Sequence, residues 1–429
     1  MITQKVLTKN FQKPNILWSI LIFALIFYNN ETFPSINQRG RIETVLLLTL
    51  IIGGLFLLKI FSKKIRINQQ GLLIIALMFC SVFITMLFNQ DYTGGYFKIL
   101  LGLLLGFMLA HLVAIDDFIN RYINIMLILA IYSLAVLYAI IPIVSYLPEA
   151  IFPRFYNSAG VPFISAGLTY VVNLENYYRN FGIFRESGVY QIFLNLALMF
   201  ELFYKESKPN AKTVMILCTA IISTFSIPGY IAGAILFLTY VFMQVKTYEF
   251  GRANRSKTMF VTLLILLLAT AFIGYMTNDT VYRNFSATFD KLSPHHSSMA
   301  TRITAIMASL LVWSERPIFG HGITIGLGGR GLLVMQEAFA FSTRHNTTTI
   351  GSLLLVFGVV FTGMCIYLLY KFINRSRQRG PAKVFMFLAV MLIINNNSLI
   401  YNELFYTILF YGISPRFPIK FSRVLENGG

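Results

Sequence analysis

YRNFGIFRESGVYQ, residues Tyr178 to Gln191, sets Arg179, Arg185 and Glu186 directly against an apolar run that enters a membrane. An arginine or glutamate at the edge of hydrocarbon costs on the order of 3 kcal/mol unless it is paired, hydrated or used. Interfacial snorkelling accounts for the two arginines, whose long stems reach back to water, but leaves Glu186 without a reason. The remainder of the chain reads as scaffold around this stretch.

Of the 429 residues, 56% are hydrophobic and 12% charged, and the mean hydropathy is +0.68. The apolar residues are gathered into long uncharged runs, which excludes a soluble globule and implies an all-α polytopic integral membrane protein. The first run follows a Lys-bearing tail and lacks a small-residue cleavage site, so a retained first helix is expected. Cys80, Cys218 and Cys365 lie inside separate apolar runs and read as small core hydrophobes, with no disulfide or metal spacing.

A net charge of +18 would point to nucleic acid in a soluble chain, but here the cations sort by membrane side and nucleic acid is not an expected partner. Lys5, Lys9 and Lys13 precede a first span, Ile16 to Tyr28, and Lys59, Lys63, Lys64 and Arg66 follow a second, Ile42 to Phe61; both clusters belong in the cytoplasm. Spans Gly71 to Phe88, Phe97 to Ile115 and Tyr122 to Ile141 carry the chain out, in and out, and Gly188 to Tyr204 returns it to Lys205, Lys208 and Lys212. Thr213 to Val245 is too long for one straight span and has cations at both ends, so a hairpin of short helices is expected, with STFSIPG at its outer tip and Pro228 and Gly229 making the turn. A ninth span, Thr258 to Met276, leads outward, a tenth, Thr347 to Tyr370, returns to a strongly basic segment, and Val384 to Ser414, interrupted by INNNSLIYNE, forms a last hairpin. The reading is one membrane domain over residues 1–429, about twelve transmembrane helices, and two long external loops, 142–187 and 277–345.

Function is sought in those loops, because long polar segments on one side exceed what connection requires. Their basic residues are Arg154, Arg179, Arg185, Arg283, Arg302, Arg316, Arg330 and Arg344 against Lys291, and arginine's planar fork binds phosphate oxygens bidentately as lysine does not. Ser298 to Trp313 spaces Ile303, Ile306, Met307, Leu310 and Trp313 as an amphipathic helix with Arg302 near its start. The following ERPIFGHGITIGLGGRG holds a literal G-x-G-x-x-G, but no strand precedes it, so the dinucleotide reading is rejected; Gly320 and Gly322 either let backbone amides approach an anion or shape a loop, and the loop is the favoured reading. His345 stands at the mouth of the tenth span and, with Glu186, is a candidate general base next to arginines. His295 and His296 read as surface residues and His111 as a core histidine. The chain has no D-x-D, which argues against a nucleotide-sugar donor; the implied chemistry is transfer from a lipid-linked donor whose phosphate or pyrophosphate leaves at the external surface.

At this point a resemblance applies. GIFRESG, Gly182 to Gly188, resembles the G-I-F-x-E-P-G of O-antigen and exopolysaccharide repeat-unit polymerases, with Ser187 in place of the proline and Arg185 where the family often carries an aromatic. STFSIPGY resembles their Ser/Thr-rich hairpin tip, and SSMATR, PIFGHG and His345 before a glycine-bearing span fall in the family's order. The resemblance implies an inverting, metal-independent glycosyltransferase with a GT-C-like helical fold and no cofactor, acting on undecaprenyl-pyrophosphate-linked oligosaccharide. It implies residence in the bilayer of the bacterial inner membrane, a site on the periplasmic or external face, and a chain-length regulator and flippase of the same pathway as further partners. Carried over by position, Arg179 and Arg302 become pyrophosphate clamps, with Arg185 and Arg344 beside them; Glu186 becomes a positioning group or base and His345 a base or acceptor-orienting group. The O-antigen ligases share this pattern and are the near alternative. A flippase or other transporter is the non-enzymatic one, and it should carry its charges midway along its helices.

Overall fold

The apolar runs are helices. The computed structural model describes residues 16–28, 32, 41–62, 67–141, 153–156, 162–174, 177–246, 297–328, 348–378 and 380–415. Before the segment 142–187 come α1 (Ile16–Phe27), α2 (Arg41–Phe61), α3 (Gln69–Phe88), α4 (Gly94–Leu112) and α5 (Ile115–Ala135), the last continued by a π-helical turn, Val136–Ile140. After it come α6 (Ser187–Phe203), α7 (Ala211–Ser223), α8 (Ile227–Lys246), α9 (Ser297–Glu315), α10 (Thr349–Asn374), α11 (Pro381–Ile394) and α12 (Glu403–Phe410). Five segments among the described residues are long and apolar enough to cross a membrane: Glu43–Phe61, Gln69–Phe88, Gly94–Leu112, Ile115–Ile140 and Thr349–Asn374. The expected span Thr258 to Met276 lies outside the described residues.

The opening stretch leads into the centre of the bundle. Every residue of α6 except Gly188 is buried, from Ser187 to Phe203. A helix apolar all round belongs in a core, and α6 packs against α5, α7, α8 and α11. By contrast α2 and α3 turn Leu50, Leu58, Leu73 and Leu87 outward, as helices at a lipid boundary do. Close approach of backbones closes the bundle between α4 and α12. A Cβ on Gly106 would stand 2.8 Å from both the Thr407 amide and the Tyr406 carbonyl carbon, a distance no side chain occupies. Gly102, one turn earlier, faces Tyr406 in the same way, so the pair makes the small-residue seam by which membrane helices approach.

Helix ends meet in two layers, as the charge sorting requires. In the layer carrying Lys59, Arg121 and Lys205, Lys59 donates to Leu112 O at 3.2 Å, Arg121 to Ser19 Oγ at 2.5 Å, Asn68 to Ile413 O at 3.2 Å and Tyr204 to Phe372 O at 3.1 Å. In the other layer, Thr32 pairs with Phe184, Arg179 with the tip after α7, Arg185 with Asn397, and Asp91 with Thr324.

Five features depart from expectation. The segment between α5 and α6, expected as a loop, holds a four-stranded antiparallel meander, β1 (Arg154–Tyr156), β2 (Pro162–Ala166), β3 (Thr169–Leu174) and β4 (Tyr177–Gly182), so the chain is mostly and not wholly helical. Its alternating Phe163, Val171 and Phe181 are buried, and Ile164, Ala166 and Val171 pack on Val136, Leu137 and Ile141 at the end of α5. The α7–α8 hairpin exists, but its turn is Thr224 to Ser226, with Phe225 at φ 47°; Pro228 falls in the first turn of α8, where a missing amide hydrogen is harmless. In α9 the buried face is Ala305, Ala308, Ser309 and Val312, while Ile306, Met307 and Leu310 point outward. Small residues let α9 lie close on α10, and the large apolar ones are left for lipid.

The fourth is a break in α10. Gly358 adopts φ 70° and ψ −165°, and a Cβ there would lie 2.3 Å from Ile318 O. The segment Pro317–Gly322 fills the gap: Val359 N donates to Pro317 O at 2.8 Å and His321 N to Leu355 O at 2.7 Å. These bonds satisfy the backbone groups that the break releases. The expected final hairpin is likewise incomplete as two spans, since α12 has 8 residues and the polar run after α11 is irregular backbone from Asn395 to Asn402.

Candidate functional site

GIFRESG folds as a plug with a charged rim. Gly182, at φ 54°, turns the chain off β4 where the Tyr190 ring, 2.8 Å from the position of a Cβ, leaves no space for a side chain. Ile183 and Phe184 then point inward, and Phe184 stacks on Phe193 at 4.3 Å and on Tyr190 at 5.4 Å. That apolar anchor fixes the next two residues at the surface. Glu186 is exposed at the N-cap position of α6 in extended conformation, its carbonyl accepting from Val189 N and Tyr190 N while its carboxylate makes no capping bond. The carboxylate is therefore presented outward at a helix N-terminus, where negative charge is favoured.

The two arginines of the stretch have different surroundings. Arg179 donates through Nη2 to Phe225 O at 3.0 Å and through Nε to Thr224 O at 3.3 Å, closing the C-terminal carbonyls of α7. A cation there also complements the helix dipole, so this contact ties the sheet to the α7–α8 tip. Asn180 beside it is fully buried and donates to Ser133 Oγ and Ser223 Oγ, each at 3.0 Å, knitting β4 to α5 and α7. Arg185 instead reaches across the molecule, donating through Nη2 to Asn397 Oδ1 at 3.0 Å.

The turn Asn395–Asn402 is the node of this layer. Asn396 Nδ2 donates to Gly188 O at 2.6 Å at the head of α6. On its other side, Thr349 Oγ1 donates to Asn397 O at 2.6 Å, Asn395 Oδ1 accepts from Ile350 N at 2.9 Å, and Ser398 Oγ bonds Ser352 Oγ at 2.8 Å. Arg185 and Glu186 are thus joined, through one run of asparagines, to the N-terminus of α10. His345 and Arg344 precede that terminus in sequence and lie outside the described residues, as do His295 and His296.

Arg302 is carried by α9, and its side chain is likewise outside the described set. The position of its backbone is informative. Ser309 Oγ stands 2.8 Å from the Cβ position of Gly351, and further on Pro317 meets Val359, so α9 runs beside the first half of α10 in the same direction. Seven residues back from Ser309, about 10 Å of helix, the backbone at Arg302 lies toward the end at which the chain enters α10.

Asp91, absent from the sequence candidates, holds the α3–α4 corner to the glycine-rich loop. Its Oδ2 accepts from Thr324 N at 2.8 Å and from Tyr96 OH at 3.2 Å, and its Oδ1 accepts from Thr324 Oγ1 at 2.8 Å. Burial alone would raise this carboxyl, but the bonds from Thr324, Tyr96 and the Thr93 amide outweigh it and hold the group below its ordinary value. Gly322, at φ 78°, allows the loop to approach Asp91 and Tyr96, which gives the glycines a packing role. His321, also unflagged by sequence, is buried with Nε2 2.8 Å from Val312 O. His111 is buried as expected, bonded through Nδ1 to Phe107 O at 2.8 Å. Of these, the asparagine run alone left a sequence signal, as a polar interruption of an apolar stretch.

Fold and site define a mostly helical, polytopic membrane protein whose asparagine turn and Arg185 lie at the end of the bundle away from Lys59, Lys205 and Arg377. No protein-family model matches the chain, and no curated protein matches it significantly.

Proposed function

We propose that this protein is an inverting glycosyltransferase that polymerises lipid-linked oligosaccharide at the external face of the bacterial inner membrane. One observation carries the reading: the asparagine turn accepts from Arg185, donates to Gly188 O two residues after Glu186, and bonds Thr349 at the start of α10, so the motif GIFRESG and the first residues of α10 share one turn. The acceptor sugar hydroxyl attacks the anomeric carbon of the donor from the face opposite its pyrophosphate. The new C–O bond forms as the C–O bond to undecaprenyl pyrophosphate breaks, and the base, His345 or Glu186, takes the hydroxyl proton. Arginines hold the departing diphosphate, whose charge grows as the bond breaks. This role is assigned to Arg185 and Arg302. Arg179 keeps two donors on α7, and its part is to hold β4 and the motif after it in position.

The reading is tested by incubating purified protein in nanodiscs with undecaprenyl-pyrophosphate-linked repeat units. A ladder of products is expected. A single transfer onto an added acceptor glycan would make the protein a ligase, and no transfer with any lipid-linked donor would remove the enzymatic assignment.

A further inference from the structure

Arg316 follows the last residue of α9 and stands at the edge of the bundle. Its Nη1 donates to Asn89 Oδ1 at 2.7 Å, and its guanidinium carbon lies 5.9 Å from the centroid of the Phe88 ring. Phe88 is the last residue of α3, one of the segments long and apolar enough to cross a membrane, and Asn89 caps that helix. The guanidinium is therefore placed where hydrocarbon gives way to head groups. Arg316 is exposed there, with Glu315, Pro317 and Ile318 on either side of it.

Snorkelling explains why such a side chain reaches toward water, but it does not require the guanidinium to be held. Here it is held from two directions. Asn89 is fixed by its own amide, which donates to Thr85 O at 2.9 Å and to Gly320 O at 3.3 Å, so its Oδ1 has one orientation. The Arg316 backbone is pinned in turn, its N–H donating to Trp313 O and its carbonyl accepting from Gly320 N, each at 3.0 Å. Stacking on Phe88 uses the face of the guanidinium, whereas its N–H donors lie in the plane, so an edge is left for an acceptor with two oxygens. A cation braced in this way loses little freedom when it takes up an anion.

The surroundings select the anion. Ile84, Leu87 and Phe88 are exposed on one face of α3, spaced i, i+3 and i+4, and Ile318 is exposed beside Arg316, so the partner has hydrocarbon joined to its phosphate. Glu315 precedes Arg316 and is also exposed, with its Oε2 3.9 Å from His321 Nε2. A guanidinium next to a carboxylate suits a phosphodiester, which carries a single negative charge, and disfavours a diphosphate. We infer that Arg316 binds the phosphate of a bilayer phospholipid whose chains lie along the Ile84, Leu87 and Phe88 face of α3. This site stands apart from the glycosyl-transfer reading, which gives Arg316 no part.

Trp313 reports on the site, since its Nε1 donates to Pro317 O at 3.0 Å, one residue beyond Arg316, and Trp18, the other tryptophan of the chain, can be replaced by phenylalanine. In delipidated Trp18→Phe protein in detergent, phosphatidylglycerol with brominated chains should quench Trp313 saturably. Arg316→Gln should weaken that binding about tenfold to a hundredfold, the scale of one charge-assisted contact, and leave quenching by brominated diacylglycerol unchanged. Arg316→Lys keeps the charge but loses the fork, and should fall between the two. Phosphatidylglycerol affinity within twofold of wild type in folded Arg316→Gln, or an equal loss for diacylglycerol, overturns the inference. So does displacement of the brominated lipid by inorganic phosphate or geranylgeranyl diphosphate at concentrations no higher than unbrominated phosphatidylglycerol requires. Should Arg316→Gln fail to fold, the wild-type protein decides: phosphatidylglycerol, and not diacylglycerol, should slow the modification of Arg316 by phenylglyoxal, and an unchanged rate overturns it.

Discussion

Arg185 and Asn397 stand 3.0 Å apart, Nη2 to Oδ1, although 212 positions separate them in the chain. The acceptor is a neutral amide, so the guanidinium is oriented without a second charge being added by this partner. Asn397→Asp keeps an acceptor oxygen in place and adds a carboxylate beside the guanidinium. If Arg185 grips the donor diphosphate, Asn397→Asp should raise the donor KM about tenfold with little change in thermal stability. If the contact serves folding alone, the variant should match wild type in KM, and steady-state kinetics with lipid-linked donor decide between the two.

Packing between α4 and α12 predicts opposite signs for two glycines. Gly106→Ala places a methyl 2.8 Å from backbone that cannot rotate away, and should destabilise by about 1–3 kcal/mol. Gly54→Ala on α2 meets nothing within 4 Å and removes a helix-weakening glycine, so it should be neutral or stabilising by up to about 1 kcal/mol. Thermal unfolding in one detergent compares them, and equal shifts would mean that the α4–α12 seam is not close-packed.

Most of the helical plan was legible because charge and hydropathy act locally and strongly in a membrane. The cations around Lys59 and Arg377, for example, sort the helix ends into the same layers that their contacts define. What was not legible depends on contacts between distant segments. The break at Gly358 sits in an unbroken apolar run, and only Pro317 and Ile318 approaching its backbone require a glycine there. Phe163 and Phe181, 18 positions apart on β2 and β4, carry no mark of their pairing in sequence, yet they meet across the sheet, edge to face at 5.6 Å. At the site, sequence singled out Glu186 and Arg185 by the anomaly of their charge, and Asn397 only as part of a polar interruption of an apolar run, but Asp91 acts through a partner more than 200 positions away and carries no local signature.

Sidedness is tested with single cysteines after Cys80, Cys218 and Cys365 are replaced by serine. Leu168, 43% exposed on the turn between β2 and β3, should label from outside the cell, and the exposed Ser207 between α6 and α7 from the cytoplasm. Labelling of Leu168→Cys by impermeant reagent only after the membrane is opened would invert the assignment.

Asp91 gives a pH dependence with a definite sign. Its folded-state pKa is lowered from 3.8, so its contribution to stability is present above that value and is lost as pH falls through the lower folded-state pKa. Asp91→Asn removes the charge at every pH. The variant should be less stable than wild type near neutrality, and the gap in melting temperature should begin to close only below about pH 4. A gap that closes instead between pH 5 and 7 would point to a histidine and remove Asp91 from the account.

The proton of the acceptor hydroxyl distinguishes Glu186 from His345. A positioned base contributes roughly a hundred to ten-thousandfold to such a transfer. Glu186 is exposed on the rim at the head of α6 and adjoins Arg185 in sequence, so its change should disturb the anion as well as the proton. His345 precedes α10, whose first residues are bound to the asparagine turn through Thr349 and Ile350. If His345 is the base and Glu186 positions the donor, His345→Ala should lower polymer formation by that hundred to ten-thousandfold while diphosphate affinity stays within a few fold of wild type. Glu186→Gln should then raise the donor KM and lower turnover together. Both variants are measured in membranes at matched protein levels, with product ladders for turnover and geranylgeranyl diphosphate for binding. Near-normal polymer from His345→Ala, with turnover but not KM lost in Glu186→Gln, would transfer the role of base to Glu186.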